Sequence, residues 1–193
     1  MLIAVLGNPG PEYARTRHNI AWQMIEYLTF FPELKWNSKF KGDLAIYKPE
    51  TIPGKTLYFI CPLTFMNLSG ESIAAAMRFF KLDIGDLLVI HDDLELDFGV
   101  IGYKKGGGLA GHNGLRSVAT CLGTRDFNRL RMGISKPSHG DITPYVLGLF
   151  SEDEQAVLPT FLEATAKILE DNLIKDIDSL VKKYKKYQII PGQ

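Results

Sequence analysis

The chain has 193 residues, 46% of them hydrophobic, which is enough for a full core and fits one domain, or one domain with a C-terminal appendage. Lys plus Arg and Asp plus Glu are each 22, so the formal charge is zero and any polyanion binding must come from locally clustered cations. Two cysteines, an apolar start too short for a signal-peptide core and no run near ~18 apolar residues argue against a disulfide scaffold, a secreted leader and a membrane span. A soluble cytoplasmic protein is expected, with Cys61 and Cys121 as buried, reduced thiols.

The first strand-like stretch, Leu2–Leu6, runs into Gly7-Asn8-Pro9-Gly10-Pro11. This turn lacks the three-glycine spacing of a dinucleotide fingerprint, and its prolines remove two backbone donors. Asn8 sits at the strand end, where a side-chain amide can both donate and accept. The segment Tyr13-Ala14-Arg15-Thr16-Arg17-His18-Asn19 then places one histidine among cations and amides, a better setting for a titrating base than for a core histidine. A helical pattern at Ala21–Leu28 is followed by strands at Leu44–Tyr47 and Thr56–Cys61, and the second of these leads to Phe65-Met66-Asn67 and a helical pattern at Ser72–Phe80.

The buried-type strand Leu87–Ile90 delivers His91-Asp92-Asp93. A carboxylate buried there without a partner would be costly, so some donor must meet it. An imidazole that donates its Nδ1–H to that carboxylate has its tautomer fixed and presents Nε2 to a water; a helix cap or a metal ligand are the other roles open to the acid. After a strand at Gly99–Lys104 and Lys105 comes Gly106-Gly107-Gly108-Leu109-Ala110-Gly111-His112-Asn113-Gly114, leading into a helical pattern at Gly114–Cys121. So many glycines let backbone approach a bulky ligand, and the segment reads either as a phosphate-binding, substrate-gating loop or as a flexible connection capped by Asn113.

A strand at Leu130–Ile134 precedes the capping-box spacing Ser151-Glu152-Asp153-Glu154, which should start a helix that Pro159 kinks or divides after a short first turn. Between Ile174 and Tyr187 apolar residues fall at helical spacing, leaving Lys175, Lys182, Lys183, Lys185 and Lys186 outside. That amphipathic basic helix is either a solvated face or a contact for a phosphate backbone. Alternating strands and helices argue an α/β fold, in which polar groups at strand ends converge on one rim where ligands bind.

In order and spacing the islands Gly7–Gly10, Thr16-Arg17-His18-Asn19, Thr64-Phe65-Met66-Asn67-Leu68-Ser69-Gly70, His91-Asp92 and Gly111-His112-Asn113-Gly114-Leu115 resemble the bacterial-type peptidyl-tRNA hydrolase family. The resemblance runs from about Leu2 to Phe150 and less distinctly through the tail. It implies one α/β domain over residues 1–193, a twisted mixed β-sheet flanked by helices with a C-terminal amphipathic helix. It further implies a monomer without metal or organic cofactor. The substrate it implies is peptidyl-tRNA, cleaved at the ester that joins an N-blocked peptide to the 3′-terminal adenosine.

Carried over by position, the resemblance makes His18 the catalytic base and Asp92 the carboxylate that orients it. Asn8, Asn67 and Asn113 would hold the peptide, or the ester and its attacking water, with Asn113 counted among the catalytic groups. Tyr13 and Met66 match cleft-lining residues, Tyr13 toward the tRNA and Met66 beside the peptide. Phe65 joins them on the substrate side, and His112 belongs to the gating loop. Lys104 and Arg131 match basic residues of the tRNA side. Gly102 stands where the family usually has a cation, so Lys105 is expected to stand in and Gly102→Lys to tighten tRNA binding. Ala21 replaces a usual glycine, a change expected to affect packing only.

The chemistry suits these residue types, because an ester needs only a deprotonated water and an amide donor near the developing oxyanion, with ~10²–10⁴-fold from the base. No Gly-x-Ser-x-Gly elbow is present and neither cysteine has a nucleophile's setting, so direct attack by water is preferred to a covalent intermediate. Two other classes compete. A metal-dependent hydrolase would use His91, Asp92 and Asp93 with His18 or His112, although no His-x-x-x-His or Cys-x-x-Cys anchors it. A non-catalytic RNA-binding module would use the basic tail and Lys104–Lys105, but has no use for a buried acid supporting His18.

Overall fold

Leu2, Ala4 and Leu6 pack into one apolar layer and Ile3 and Val5 into another, and all five are fully buried. Burial on both faces is the signature of a parallel strand covered above and below, and it places this stretch at the centre of the sheet. The computed structural model describes residues 1–50, 53–173 and 175–191. Its strands are β1 (Leu2–Val5), β2 (Asn37–Lys39), β3 (Gly42–Tyr47), β4 (Leu57–Pro62), β5 (Leu87–Asp93), β6 (Val100–Lys105), β7 (Asn128–Gly133) and β8 (Tyr187–Gln188). They form one mixed sheet in the order β2-β3-β4-β1-β5-β7-β6-β8, parallel from β4 to β7 and antiparallel outside.

The helices are α1 (Ile20–Ile25), α2 (Ser69–Phe80), α3 (Asn113–Leu122), α4 (Ile142–Val146), α5 (Glu152–Glu170) and α6 (Ile177–Lys183). Residues of α2 and α3 cover the Leu2–Ala4–Leu6 face, and α1, α5 and α6 cover the other. Each large apolar side chain buried in these layers contributes about 1.5–3 kcal/mol, so the sheet is a firm platform for whatever its edge carries. Strand β1 has β4 on one side and β5 on the other, which opens a crevice at the carboxyl ends of the three strands.

The structure departs from the sequence expectations at several points of the fold. Strand β5 does not end at Ile90: pairing of His91, Asp92 and Asp93 with Arg131, Met132 and Gly133 carries it to Asp93, so the acid is held by the sheet itself. Of the two outcomes expected at Pro159, a split first turn is not found, and helix α5 is continuous through the proline. Its start is fixed by the expected box, Glu154 N–H to Ser151 Oγ at 3.3 Å and Ser151 N–H to Glu154 Oε2 at 2.7 Å, and one missing backbone donor inside a packed helix does not break it.

The basic tail is not one helix. Asp176 caps α6, the chain leaves helical geometry at Tyr184 (φ −118°, ψ 40°), and Tyr187–Gln188 pairs with β6. Ile174 lies outside the described residues, while Lys175, Lys182, Lys183, Lys185 and Lys186 are exposed as expected. Finally, Cys61 is buried but Cys121 is exposed on the outer face of α3.

Candidate active site

His18 sits in a 3-10 turn, Arg17–Asn19, that leads into α1. The cation beside it is turned away from the crevice: Arg17 bonds the Leu149 carbonyl, pairs with Glu154 at 2.5 Å and stacks over Tyr145. Asn19 clasps the first turn of the chain, accepting the Asn8 N–H and donating to the Asn8 carbonyl, both at 2.9 Å. The Gly7–Gly10 turn and the histidine turn are therefore locked together by two buried hydrogen bonds, about 0.5–1.5 kcal/mol each and more costly to break one-sidedly.

Strand alternation directs Asp92 to the face that carries α1, where His18 meets it. His18 Nδ1 lies 2.8 Å from Asp92 Oδ1, with 8% and 2% of the two residues exposed. A second imidazole reaches the same oxygen, His112 Nε2 at 3.0 Å. Burial by itself would push the Asp92 carboxyl up, but the two histidines beside it outweigh burial and hold it well below the usual carboxylate range. Burial would likewise lower the proton affinity of His18, and the Asp92 charge and hydrogen bond overcome that, leaving it above the ordinary histidine value.

These contacts fix the tautomers. Facing an ionised carboxylate, His18 donates from Nδ1 and keeps Nε2 as its acceptor. His112 Nδ1 accepts the backbone N–H groups of Gly114 at 3.1 Å and Leu115 at 3.3 Å, so its proton is on Nε2. The cap of α3 is thus His112 and not Asn113, because the imidazole reaches the free N–H groups while the Asn113 side-chain oxygen accepts from Arg116. His91 donates Nδ1–H to the Asp92 carbonyl at 2.6 Å, and burial lowers its proton affinity well below the ordinary histidine value and keeps it neutral.

Asn8 Oδ1 accepts the Met66 N–H at 2.8 Å, which settles the orientation of its amide and leaves the NH₂ group as a donor in the crevice. Met66 in turn packs against the first turn of α3. A Cβ on Gly114 would lie 2.5 Å from Met66 Sδ and 2.9 Å from Leu6 Cδ1, so only glycine lets the helix come this close. The resulting cleft has a volume of about 590 Å³, and Asn8, His18, Phe65, Met66, Asn67, Asp92, His112 and Asn113 all line it. Phe65 at 59% and Ile142 of α4 at 56% exposure give it two apolar lips.

Four sequence candidates lie outside this wall. Tyr13 is half-buried, its carbonyl held by Thr16 Oγ1 at 2.8 Å. Lys104 and Arg131 share a face of β6 and β7 with Arg129, and Arg131 reaches Asp93 at 3.4 Å. Lys105 cannot stand in for a cation at position 102, because alternation puts it on the opposite face, 3.5 Å from Asp178 of α6. Nor is there a gap at Gly102: a Cβ there would lie 2.6 Å from the Lys185 carbonyl and 2.9 Å from Arg131 Nη2.

Arg129 and Ile142 are among the cleft residues that escaped the sequence reading. Arg129 is 2% exposed, and its guanidinium donates to the carbonyls of Gly108, at 3.0 Å, and Gly106, tying down the glycine-rich loop. The alternation Arg129-Leu130-Arg131 within a strand was the available signal. Burial, then the neighbouring Arg129 and Arg131 charges, lower the Lys104 ammonium, the mark of cations crowded onto one patch.

One atom each of His18, Asp92 and His112 lies within 4.8 Å of the others, a spacing that a metal ion could use. The nitrogens that face Asp92 are N–H donors, however, and His112 would have to surrender its proton while still accepting two N–H groups from α3. The set is built to share protons on a carboxylate, with one free imidazole nitrogen beside an amide donor, which suits activation of water at a carbonyl carbon. Cys61 offers no alternative nucleophile, since burial pushes its thiol up.

A family model described as peptidyl-tRNA hydrolase matches residues 2–191. The chain is 47% identical over 170 residues to a peptidyl-tRNA hydrolase of Geotalea daltonii, covering 88% of this chain and 87% of that one. It is 45% identical over 179 residues to one of Treponema pallidum, covering 91% and 88%. Among solved structures, the peptidyl-tRNA hydrolase of Acinetobacter baumannii superposes with a TM-score of 0.80 at 32% identity, covering 95% of this chain and 94% of that one.

Proposed function

The chain belongs to the peptidyl-tRNA hydrolase family, which cleaves the ester between a peptide and the 3′-terminal adenosine of tRNA, and we propose that His18, aligned by Asp92, is the base of that reaction. The 2.8 Å contact between His18 Nδ1 and Asp92 Oδ1 carries this reading. His18 Nε2 takes a proton from water as the water oxygen bonds to the ester carbonyl carbon, and Asp92 stabilises the imidazolium that forms. The amide groups of Asn8, Asn67 and Asn113 line the same cleft and hold the carbonyl oxygen, the peptide or the water. Collapse of the tetrahedral intermediate breaks the bond to the ribose oxygen, which leaves with the proton that His18 returns.

Lys104 and Arg131 face the tRNA phosphates, and the Phe65 and Ile142 lips flank the peptide. Residues 1–193 work as one domain, as a monomer, in the cytoplasm; no helix among the described residues is long and apolar enough to cross a membrane. The deciding experiment is release of a labelled N-blocked aminoacyl group from tRNA, with the unblocked form alongside. His18→Ala should lose ~10²–10⁴-fold in rate while still binding tRNA, and undiminished cleavage by that variant would overturn the assignment.

A further inference from the structure

Two imidazoles donate to one oxygen of Asp92, yet only one of them is free to gain a proton. His18 has Nε2 open to the cleft, whereas His112 Nδ1 is engaged by the N–H groups of Gly114 and Leu115 at the start of a ten-residue helix. Protonation of His112 Nδ1 would break both bonds and set a cation against the positive end of α3. A carboxylate oxygen that already accepts one fixed N–H holds a second, charged donor less strongly.

We propose that His112 is a positioning residue that acts through Asp92: by sharing that oxygen it restrains the proton affinity of His18 and ties the base to the glycine-rich loop. This rests on His18 being the base. The other charged and titratable groups near His18 are engaged elsewhere. Asp93 meets Arg131, Arg129 holds loop carbonyls, Arg116 bonds Asn113 and Arg17 pairs with Glu154. His91 donates to the Asp92 carbonyl and packs edge-on to His112 with ring centroids 5.1 Å apart, and Tyr145 of α4 donates to the Ile134 carbonyl. Helix α1 carries no charged or titratable group.

Two substitutions separate the roles of the two ring nitrogens. In His112→Asn the amide oxygen takes the place of Nδ1 as helix cap, but nothing from position 112 reaches Asp92, which keeps only His18. In His112→Gln the amide NH₂ takes the place of Nε2 and donates to Asp92, but the cap is lost. The readouts are the imidazole ¹⁵N titration of His18, which needs no catalysis, and the acidic limb of the kcat/KM profile against pH. His112→Asn should raise both by about 0.5–1 pH unit, and His112→Gln should leave both near their wild-type positions.

No shift in His112→Asn, or the same shift in both variants, would overturn the proposal. Should His112→Asn not fold, the wild-type ¹⁵N spectrum decides: His112 must keep Nδ1 bare while His18 titrates, and joint titration of the two rings sinks the idea. Activity surviving in His18→Ala would instead refute the base assignment, whatever the titrations show.

Discussion

The side-chain oxygen of Asn8 accepts the backbone N–H of Met66 at 2.8 Å, and this bond decides which end of the amide faces the cleft. Asn8→Asp keeps an oxygen for Met66 and replaces the NH₂ donor by a second carboxylate oxygen of nearly the same shape. If the donor serves the developing oxyanion, kcat falls by about 10²–10³-fold, and the carboxylate buried in the same cleft as Asp92 also lowers thermal stability. Asn8→Ala removes both ends, and stranding the buried Met66 N–H should cost a further ~1–3 kcal/mol of stability. Full kcat in Asn8→Asp, measured on N-blocked aminoacyl-tRNA, would assign the oxyanion to another group.

Activity should depend on pH with a sign set by the environment of His18. The base must be neutral to accept a proton, and Asp92 holds its titration above 6.5, so the acidic limb of kcat/KM should lie above pH 6.5. In Asp92→Asn the attraction is gone and burial remains, so the limb should drop below 6.5 even as the plateau falls by about 10²–10⁴-fold through loss of tautomer control. A limb that stays in place in Asp92→Asn would mean that the profile reports some other group.

The cation patch makes a prediction in salt. Each phosphate contact contributes a slope of about −0.7 to −0.9 in log K against log salt, so Lys104→Ala and Arg131→Ala should each weaken tRNA binding and flatten that slope by roughly one charge. Lys105→Ala is the control. Its side chain lies on the other face beside Asp178, and it should leave the slope unchanged. Equal effects from all three would show that the tRNA wraps the edge of β6 rather than lying on one face.

Much of this site was legible in the chain. The unbroken apolar run Leu2–Val5 and the acid at the end of an apolar strand pointed to covered strands and a polar rim, because burial of backbone and carboxylate leaves few other arrangements. What the chain hid depends on tertiary choices. The three exposed polar residues of β2 carry no pattern to read, and β8 exists only because β6 offers it an edge. The second donor to Asp92 was hidden for a related reason. A histidine in a glycine-rich loop reads as a mobile group until the start of α3 is seen to hold its Nδ1.

Gly102 gives the sharpest contrast between sequence and structure. Replacing it by a cation looks like the repair of a phosphate clamp, yet its Cα faces the Lys185 carbonyl, which also accepts from Arg131 Nη2 at 3.3 Å. A Cβ at 2.6 Å from that carbonyl meets backbone rather than the tip of a flexible side chain, so the Tyr184–Gln188 segment must move. Overpacking of this kind costs about 1–3 kcal/mol. Gly102→Ala and Gly102→Lys should therefore both lower the urea midpoint by a similar amount. Neither should tighten tRNA binding, since moving Lys185 also removes the carbonyl that helps hold Arg131. The measurements are urea denaturation and tRNA affinity at moderate salt. Tighter binding by Gly102→Lys with an unchanged midpoint would show that the tail yields freely and that position 102 is a vacant cation site after all.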